Sequence, residues 1–170
     1  MRKSREDEFM EFASGLTGHL YRSACLLTSG DTYLAEDLVQ ETLGRMYARW
    51  GRISEVDNPT AYARTVLVRT YLSYRRRRSS DERPVGELPD LPIVSGNDPL
   101  LRLALLEALR RLSPKDRAVV VLRYWEDRSV EETAEAMDTS PGSVRTRSTR
   151  ALARMRMHLG GSLSAFFSVT

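Results

Sequence analysis

The sequence predicts an all-α protein: two small helical domains joined by a flexible, acidic, proline-rich linker, the second domain a helix-turn-helix. Three observations carry that expectation. Apolar residues recur near the helical period in several segments. Start signals of the Asn-Pro and Ser-Pro type stand at Asn58–Pro59, Ser113–Pro114 and Ser140–Pro141. Between 79 and 99 the chain crowds Pro84, Pro89, Pro92 and Pro99 with Gly86 and Gly96, a density that prevents helix and disfavours a central strand. Aromatic residues make up only 8%, which also leans away from sheet.

In order along the chain, a first helix is expected over 8–28, with Phe9, Phe12, Leu16, Leu20 and Leu27 inward, ending at Ser29–Gly30. A second is expected over 32–50, with Leu34, Leu38, Leu43, Met46, Tyr47 and Trp50 as its apolar positions. Residues 51–57 read as a loop. A third helix runs from 58 to 78, with Tyr62, Val66, Leu67, Tyr71 and Leu72 as candidate core. After the linker, helices are expected over 100–112, 114–124, 130–137 and 141–159, followed by a tail over 160–170 containing Leu163, Phe166, Phe167 and Val169. The domain boundaries that follow are 1–78, 79–98 for the linker, 99–159, and 160–170 for the tail.

Net charge is only +3, but its distribution says more. The linker holds Asp81, Glu82, Glu87, Asp90 and Asp98 against Arg83 alone, and no acid follows Asp138. A basic run, Arg75 to Arg78, closes the first domain. Clustered bases of this kind are the electrostatic footprint of a nucleic-acid binder, although one such cluster alone is as well explained as solvated surface. The single cysteine, Cys25, excludes an internal disulfide and reads as a small buried hydrophobe. The N-terminus is charged and no apolar run reaches membrane-spanning length, so a cytoplasmic protein without membrane insertion is expected.

The most specific local pattern spans 130–156. A short helix with Val130, Ala134 and Met137 inward meets a tight turn at 138–140. A longer helix follows, with Val144, Ala151, Leu152 and Met155 inward. This is helix-turn-helix spacing, whose second helix enters the major groove. Ser143, Arg145, Thr146, Thr149 and Arg150 fall largely on its outer face. There Arg145 and Arg150 suit guanine edges or phosphates, while Arg147, Arg154 and Arg156 suit phosphates. The competing interpretation is a helical hairpin with a solvated arginine face.

Two further groupings stand in the first domain. Glu36 and Gln40 are four apart, as are Asp37 and Glu41, so each pair shares a stripe. Acids repeated on one stripe suit docking to an arginine-rich helix, or are an exposed acidic face. In 62–78, Tyr62, Tyr71 and Tyr74 interleave with Arg64, Arg69 and Arg75 to Arg78. Aromatic faces stack unpaired bases while arginines hold the backbone. Alternatively the tyrosines are core and the arginine run is favoured by the helix dipole. No metal, cofactor or catalytic set is expected: neither His19 nor His158 has a cysteine or acid at ligand spacing, and no glycine-rich phosphate loop or nucleophile motif is present.

The order of these segments is more specific than any one of them. An acidic AEDLVQET helix, an aromatic and arginine helix, an acidic proline linker and LSPKDRAVVVLRYWEDRSVEETAEAMDTSPGSVRTRSTRAL follow one another. Over about residues 8–158 the chain resembles the extracytoplasmic-function sigma factors of bacterial RNA polymerase. NPTAYARTVLVRTYLSYRRRR is similar to their sigma-E-like actinobacterial branch. The resemblance implies a non-enzymatic subunit that directs core polymerase to promoters. Glu36, Asp37, Gln40 and Glu41 then match the contact with the clamp helices of the largest polymerase subunit. Residues 51–57 match the pocket for a flipped −10 base. Tyr62, Arg64, Arg69, Tyr74, Arg75, Arg76 and Arg77 match the holder of the melted strand. Ser143, Arg145, Thr146, Arg147, Thr149, Arg150 and Arg154 match the −35 reader. The linker matches the segment that threads the polymerase cleft. An anti-sigma protein is a further partner the resemblance admits. One departure is Arg69, where many relatives carry asparagine in the VLVN motif; another is the tail at 160–170. The alternative class is a stand-alone helix-turn-helix regulator whose first domain binds a ligand or partner.

Overall fold

The computed structural model describes residues 2–78 and 98–162, the side chain of Ser162 excepted. The expectations for the linker before Asp98 and for the tail after Ser162 lie outside the described residues. Among the described residues every regular element is a helix or helical turn.

The first group comprises α1 (Arg5–Leu27), α2 (Thr32–Ala48), α3 (Trp50–Ile53) and α4 (Pro59–Arg77). Polar caps set the starts. Ser4 and Asp7 form a capping box that begins α1 three residues before the expected start. The carboxylate of Asp31 accepts from the Leu34 amide, and the Asn58 side chain accepts from Ala61 with Pro59 in the first turn. Between α1 and α2 the backbone turns through Ser29 (φ 55°) and Gly30 (φ 90°), and the Gly30 amide donates to the Cys25 carbonyl at 2.8 Å. Trp50 and Ile53 are buried, so the expected loop at 51–57 begins instead as the helical turn α3, whose indole anchors it beside Phe9 and Phe12.

The second group comprises α5 (Pro99–Arg110), α6 (Pro114–Val120), a π-helical turn (Val121–Trp125), α7 (Val130–Ala136), α8 (Pro141–Leu159) and a 3-10 turn (Gly160–Ser162). Asp98, Ser113, Ser129 and Ser140 cap the four α-helices through side-chain oxygens. The helix expected over 114–124 changes register at Val121. There the Glu126 amide donates to the carbonyl five residues back, at 2.9 Å. That extra residue turns Trp125 and Glu126 towards α1. Asp138, at φ 53°, makes the tight turn between α7 and α8. Val119, Ala134 and Val144 form the small core of the helix-turn-helix.

The two groups share one continuous buried cluster. It runs from Leu20 and Leu27 on α1 through Leu67 and Tyr71 on α4 to Leu105 and Leu109 on α5, Leu122, and Met155 on α8. Cys25 is fully buried, as expected, and burial pushes its thiol up to about 11. Tyr62 departs from its expected core position and is exposed, whereas Tyr71 is buried.

Candidate nucleic-acid and protein interfaces

The acidic stripe of α2 lies in the open. Glu36, Asp37, Gln40 and Glu41 are all exposed, because Ala35, Leu38, Val39 and Thr42 take the inward face. Glu41 accepts from Arg45 Nη2 at 2.7 Å, an exposed pair one turn away.

The outer face of α8 carries Arg145, Thr146, Thr149, Arg150 and Arg154 exposed, with Ser143 and Arg147 half-buried. Two of its arginines are turned to structural use. The Asp116 carboxylate at the start of α6 is 3% exposed and accepts from Arg147 Nη1 at 2.8 Å and from Arg150 Nη2 at 3.1 Å. Burial alone would raise the Asp116 pKa. The hydrogen bonds from Arg150 and Arg147 outweigh it and hold the carboxyl below its ordinary range. Among the described residues Arg145 makes an exposed ion pair with Glu131, at 3.6 Å. The Thr149 hydroxyl donates back to the Arg145 carbonyl.

On α4, Tyr62, Arg76 and Arg77 are exposed, and Tyr74 and Arg75 are half-buried, with the Arg78 guanidinium 5.7 Å from the centre of the Tyr74 ring. Arg64 and Arg69 point to the second group. Arg64 Nε lies 3.0 Å from the Glu126 carboxylate. Arg69 donates through Nε to the Ala136 carbonyl at 2.9 Å and through Nη2 to the Glu135 carbonyl at 3.1 Å, closing the C-terminal end of α7.

Comparison with known proteins decides the family. The Sigma-70 region 2 model matches residues 10–80, and the Sigma-70, region 4 model matches residues 102–155. The RNA polymerase sigma-E factor of Streptomyces coelicolor is 40% identical over 153 residues, covering 89% of this chain and 86% of that protein. The chain belongs to the extracytoplasmic-function sigma factors. It acts in promoter-directed transcription initiation with RNA polymerase, and the reading as a stand-alone regulator is not favoured. The sigma factor CarQ of Myxococcus xanthus is 32% identical over 164 residues, covering 91% of this chain and 88% of CarQ. Among solved structures, the sigma factor RpoE of Bartonella quintana, determined in complex with the anti-sigma factor NepR, superposes with a TM-score of 0.73. It is 26% identical and the match covers 91% of this chain and 98% of RpoE. The extracytoplasmic function sigma factor SigJ of Mycobacterium tuberculosis gives a TM-score of 0.60 at 27% identity, over 92% of this chain and 57% of SigJ.

The sigma factor also holds charged residues that the sequence pattern did not single out. Arg117 on α6 is 2% exposed. Its guanidinium donates to the carbonyls of Leu109, Arg110 and Leu112 at the end of α5, to the Leu27 carbonyl at the end of α1, and to the Tyr71 hydroxyl, all at 2.8–3.1 Å. One side chain thus closes the ends of two helices from different groups. Glu126, only 2% exposed, accepts from the Ser23 hydroxyl and meets His19 Nε2 at 3.0 Å; Trp125 Nε1 donates to the same hydroxyl, and its ring stacks beside His19. Arg128 donates to Thr65 Oγ1 and to the Ala61 carbonyl on α4. Its place directly ahead of the apolar run Ala118–Leu122 was the available signal for Arg117. Nothing in the sequence marks Glu126 or Arg128 as different from surface charges.

Proposed function

We propose that this sigma factor divides its work between the two helical groups. The acidic face of α2, with Glu36, Asp37, Gln40 and Glu41, docks on the clamp helices of the largest polymerase subunit. Residues 51–57 and α4 hold the unpaired −10 strand through Tyr62, Arg64, Arg69, Tyr74, Arg75, Arg76 and Arg77. The outer face of α8 reads the −35 duplex through Ser143, Arg145, Thr146 and Thr149, with Arg147, Arg150 and Arg154 on the phosphates. The corresponding domains are 1–78 and 99–159, with 79–98 as the linker between them. The chain supplies binding energy for strand separation and no catalysis of its own, and it works in the cytoplasm. An anti-sigma protein, such as the one with which RpoE was solved, is a fitting regulator.

The observation that carries this reading is the separation of three exposed faces: an acidic one on α2, an aromatic and arginine one on α4, and a basic one on α8. A repressor has no use for the first. The test is co-elution with core polymerase. Asp37→Lys combined with Glu41→Lys abolishes it while circular dichroism stays unchanged, since both positions are exposed. Undiminished co-elution contradicts the docking assignment.

A further inference from the structure

Beneath the basic face of α8 lies one buried acid. Asp116 stands in the first turn of α6, where its amide donates to the Ser113 hydroxyl at 3.2 Å. One turn further along α6, Val119 packs with Ala134 and Val144, and Val144 lies one turn ahead of Arg147 on α8. That small core fixes the carboxylate opposite the two arginines. Arg147 donates through Nη1 to Oδ1 at 2.8 Å. Arg150 donates through Nη2 to Oδ1 at 3.1 Å and through Nε to Oδ2 at 3.3 Å, a two-point hold on one edge of its guanidinium. The carboxylate is 3% exposed, whereas Arg147 and Arg150 are 25% and 50% exposed, so the acid sits under the face and the cations on it. The occupied edge of Arg150 leaves its Nη1 for an outside acceptor. The three side chains together present one net positive charge to DNA rather than two. Their guanidinium positions are set before any DNA arrives.

We infer that Asp116 is a positioning residue that sets the specificity of the −35 reader: it withholds one charge and one guanidinium edge from indiscriminate phosphate binding, and it fixes where Arg147 and Arg150 meet the duplex. The inference rests on the proposal that the outer face of α8 reads the −35 element. Attraction to phosphate is the same for every sequence, so charge left free on this face strengthens all sites alike. A cation held in one place meets a phosphate only when α8 sits at one depth and register in the groove. In that register Arg145, Thr146 and Thr149 meet base edges. Discrimination is a difference of affinities, and Asp116 enlarges it by weakening the binding of wrong sequences.

The test uses the full chain and two probes: a pool of randomised short duplexes, and one duplex that the parent enriches from that pool. Asp116→Asn keeps the shape of the side chain and removes its charge. Its affinity for the pool should rise roughly threefold to tenfold at low salt, with a salt slope steeper by about one, as for one added phosphate contact. Its preference for the enriched duplex over the pool should fall roughly tenfold, the scale of one mismatched base pair. Arg150→Lys keeps the charge and gives up the two-point hold. It should leave pool affinity and salt slope near those of the parent and still lower the preference. A residue that only braced the fold would lower both affinities alike and move neither the preference nor the slope. An unchanged preference in Asp116→Asn, at the helicity of the parent, overturns the inference. Should that variant not fold, an unchanged preference in Arg150→Lys overturns it equally. A parent that enriches no duplex at all refutes −35 reading by α8, and the inference with it, so the two failures are told apart.

Discussion

The two arginine-rich helices α4 and α8 look alike in sequence, yet their arginines are tied down in different ways. On α8, Arg147 and Arg150 bind Asp116 of α6, inside their own group. On α4, Arg64 and Arg69 bind Glu126 and the end of α7, across the two groups. A tie within a folded unit persists as long as the unit is folded. A tie between units depends in addition on the packing of one unit against the other. The same residue type on two arginine-rich helices therefore braces its own unit in one case and joins two units in the other.

The largest expected effect lies at the residue that joins the groups most deeply. Arg117→Ala leaves the buried ends of α1 and α5 without their donor. It should lower stability by roughly 3–5 kcal/mol, because each buried acceptor left unsatisfied costs about 1–3 kcal/mol. Urea unfolding followed by circular dichroism reads this, and a loss under 1 kcal/mol would remove Arg117 from the scaffold.

Next comes Asp116→Asn, which removes the charge facing Arg147 and Arg150. About 2 kcal/mol is expected, the exposure of Arg150 reducing what its contact contributes. The acid dependence follows from the same contact. The carboxyl is held below its ordinary 3.8 in the folded state, so its contribution is complete above that pH and is lost as pH falls through the lower, folded-state value. The parent should therefore lose stability faster than Asp116→Asn below about pH 4. Parallel acid titrations of the two would contradict the assignment.

A smaller effect separates reading from scaffolding within α8. Arg145→Ala should leave the melting temperature unchanged and cost roughly 1–3 kcal/mol at a matched −35 duplex if the residue contacts bases bidentately. Arg147→Ala should lower both stability and binding. The smallest effect is that of Arg154→Ala, which should weaken all duplexes alike and flatten the salt slope by about one unit. Fluorescence anisotropy against salt on matched and mismatched duplexes distinguishes the three. Uniform, salt-dependent losses from all of them would refute base reading by Arg145.

Most of the fold was legible because helix starts are written in local chemistry. Asn58–Pro59, Ser113–Pro114 and Ser140–Pro141 start α4, α6 and α8 as expected. The expected start of α1 fell late because the capping box formed by Ser4 and Asp7 lies ahead of the first apolar residue of the periodic run. The helical turn at Trp50–Ile53 and the π turn at Val121–Trp125 depend on which side chains find a pocket, Trp50 beside Phe9 in one and Trp125 beside Ser23 in the other. No periodicity within a single segment reports that. The exposed stripe on α2 was equally legible, since four-residue spacing fixes a helical face. The tie of Arg64 and Arg69 to the second group was not, because their partners Glu126, Glu135 and Ala136 stand more than sixty residues away in sequence.

The division of labour between the groups is tested most directly by footprinting unpaired thymines with permanganate, using core polymerase and either the parent or Tyr74→Ala. Tyr74 belongs to the proposed strand-holding face but to none of the polar ties that join α4 to the second group. On a duplex promoter, Tyr74→Ala should leave closed-complex binding nearly intact and sharply reduce thymine reactivity around the −10 element. Each stacked base forfeited costs about 1–3 kcal/mol, comparable with the few kcal/mol that unstacking a step demands. Normal thymine reactivity with Tyr74→Ala on the duplex would contradict the assignment of strand capture to α4.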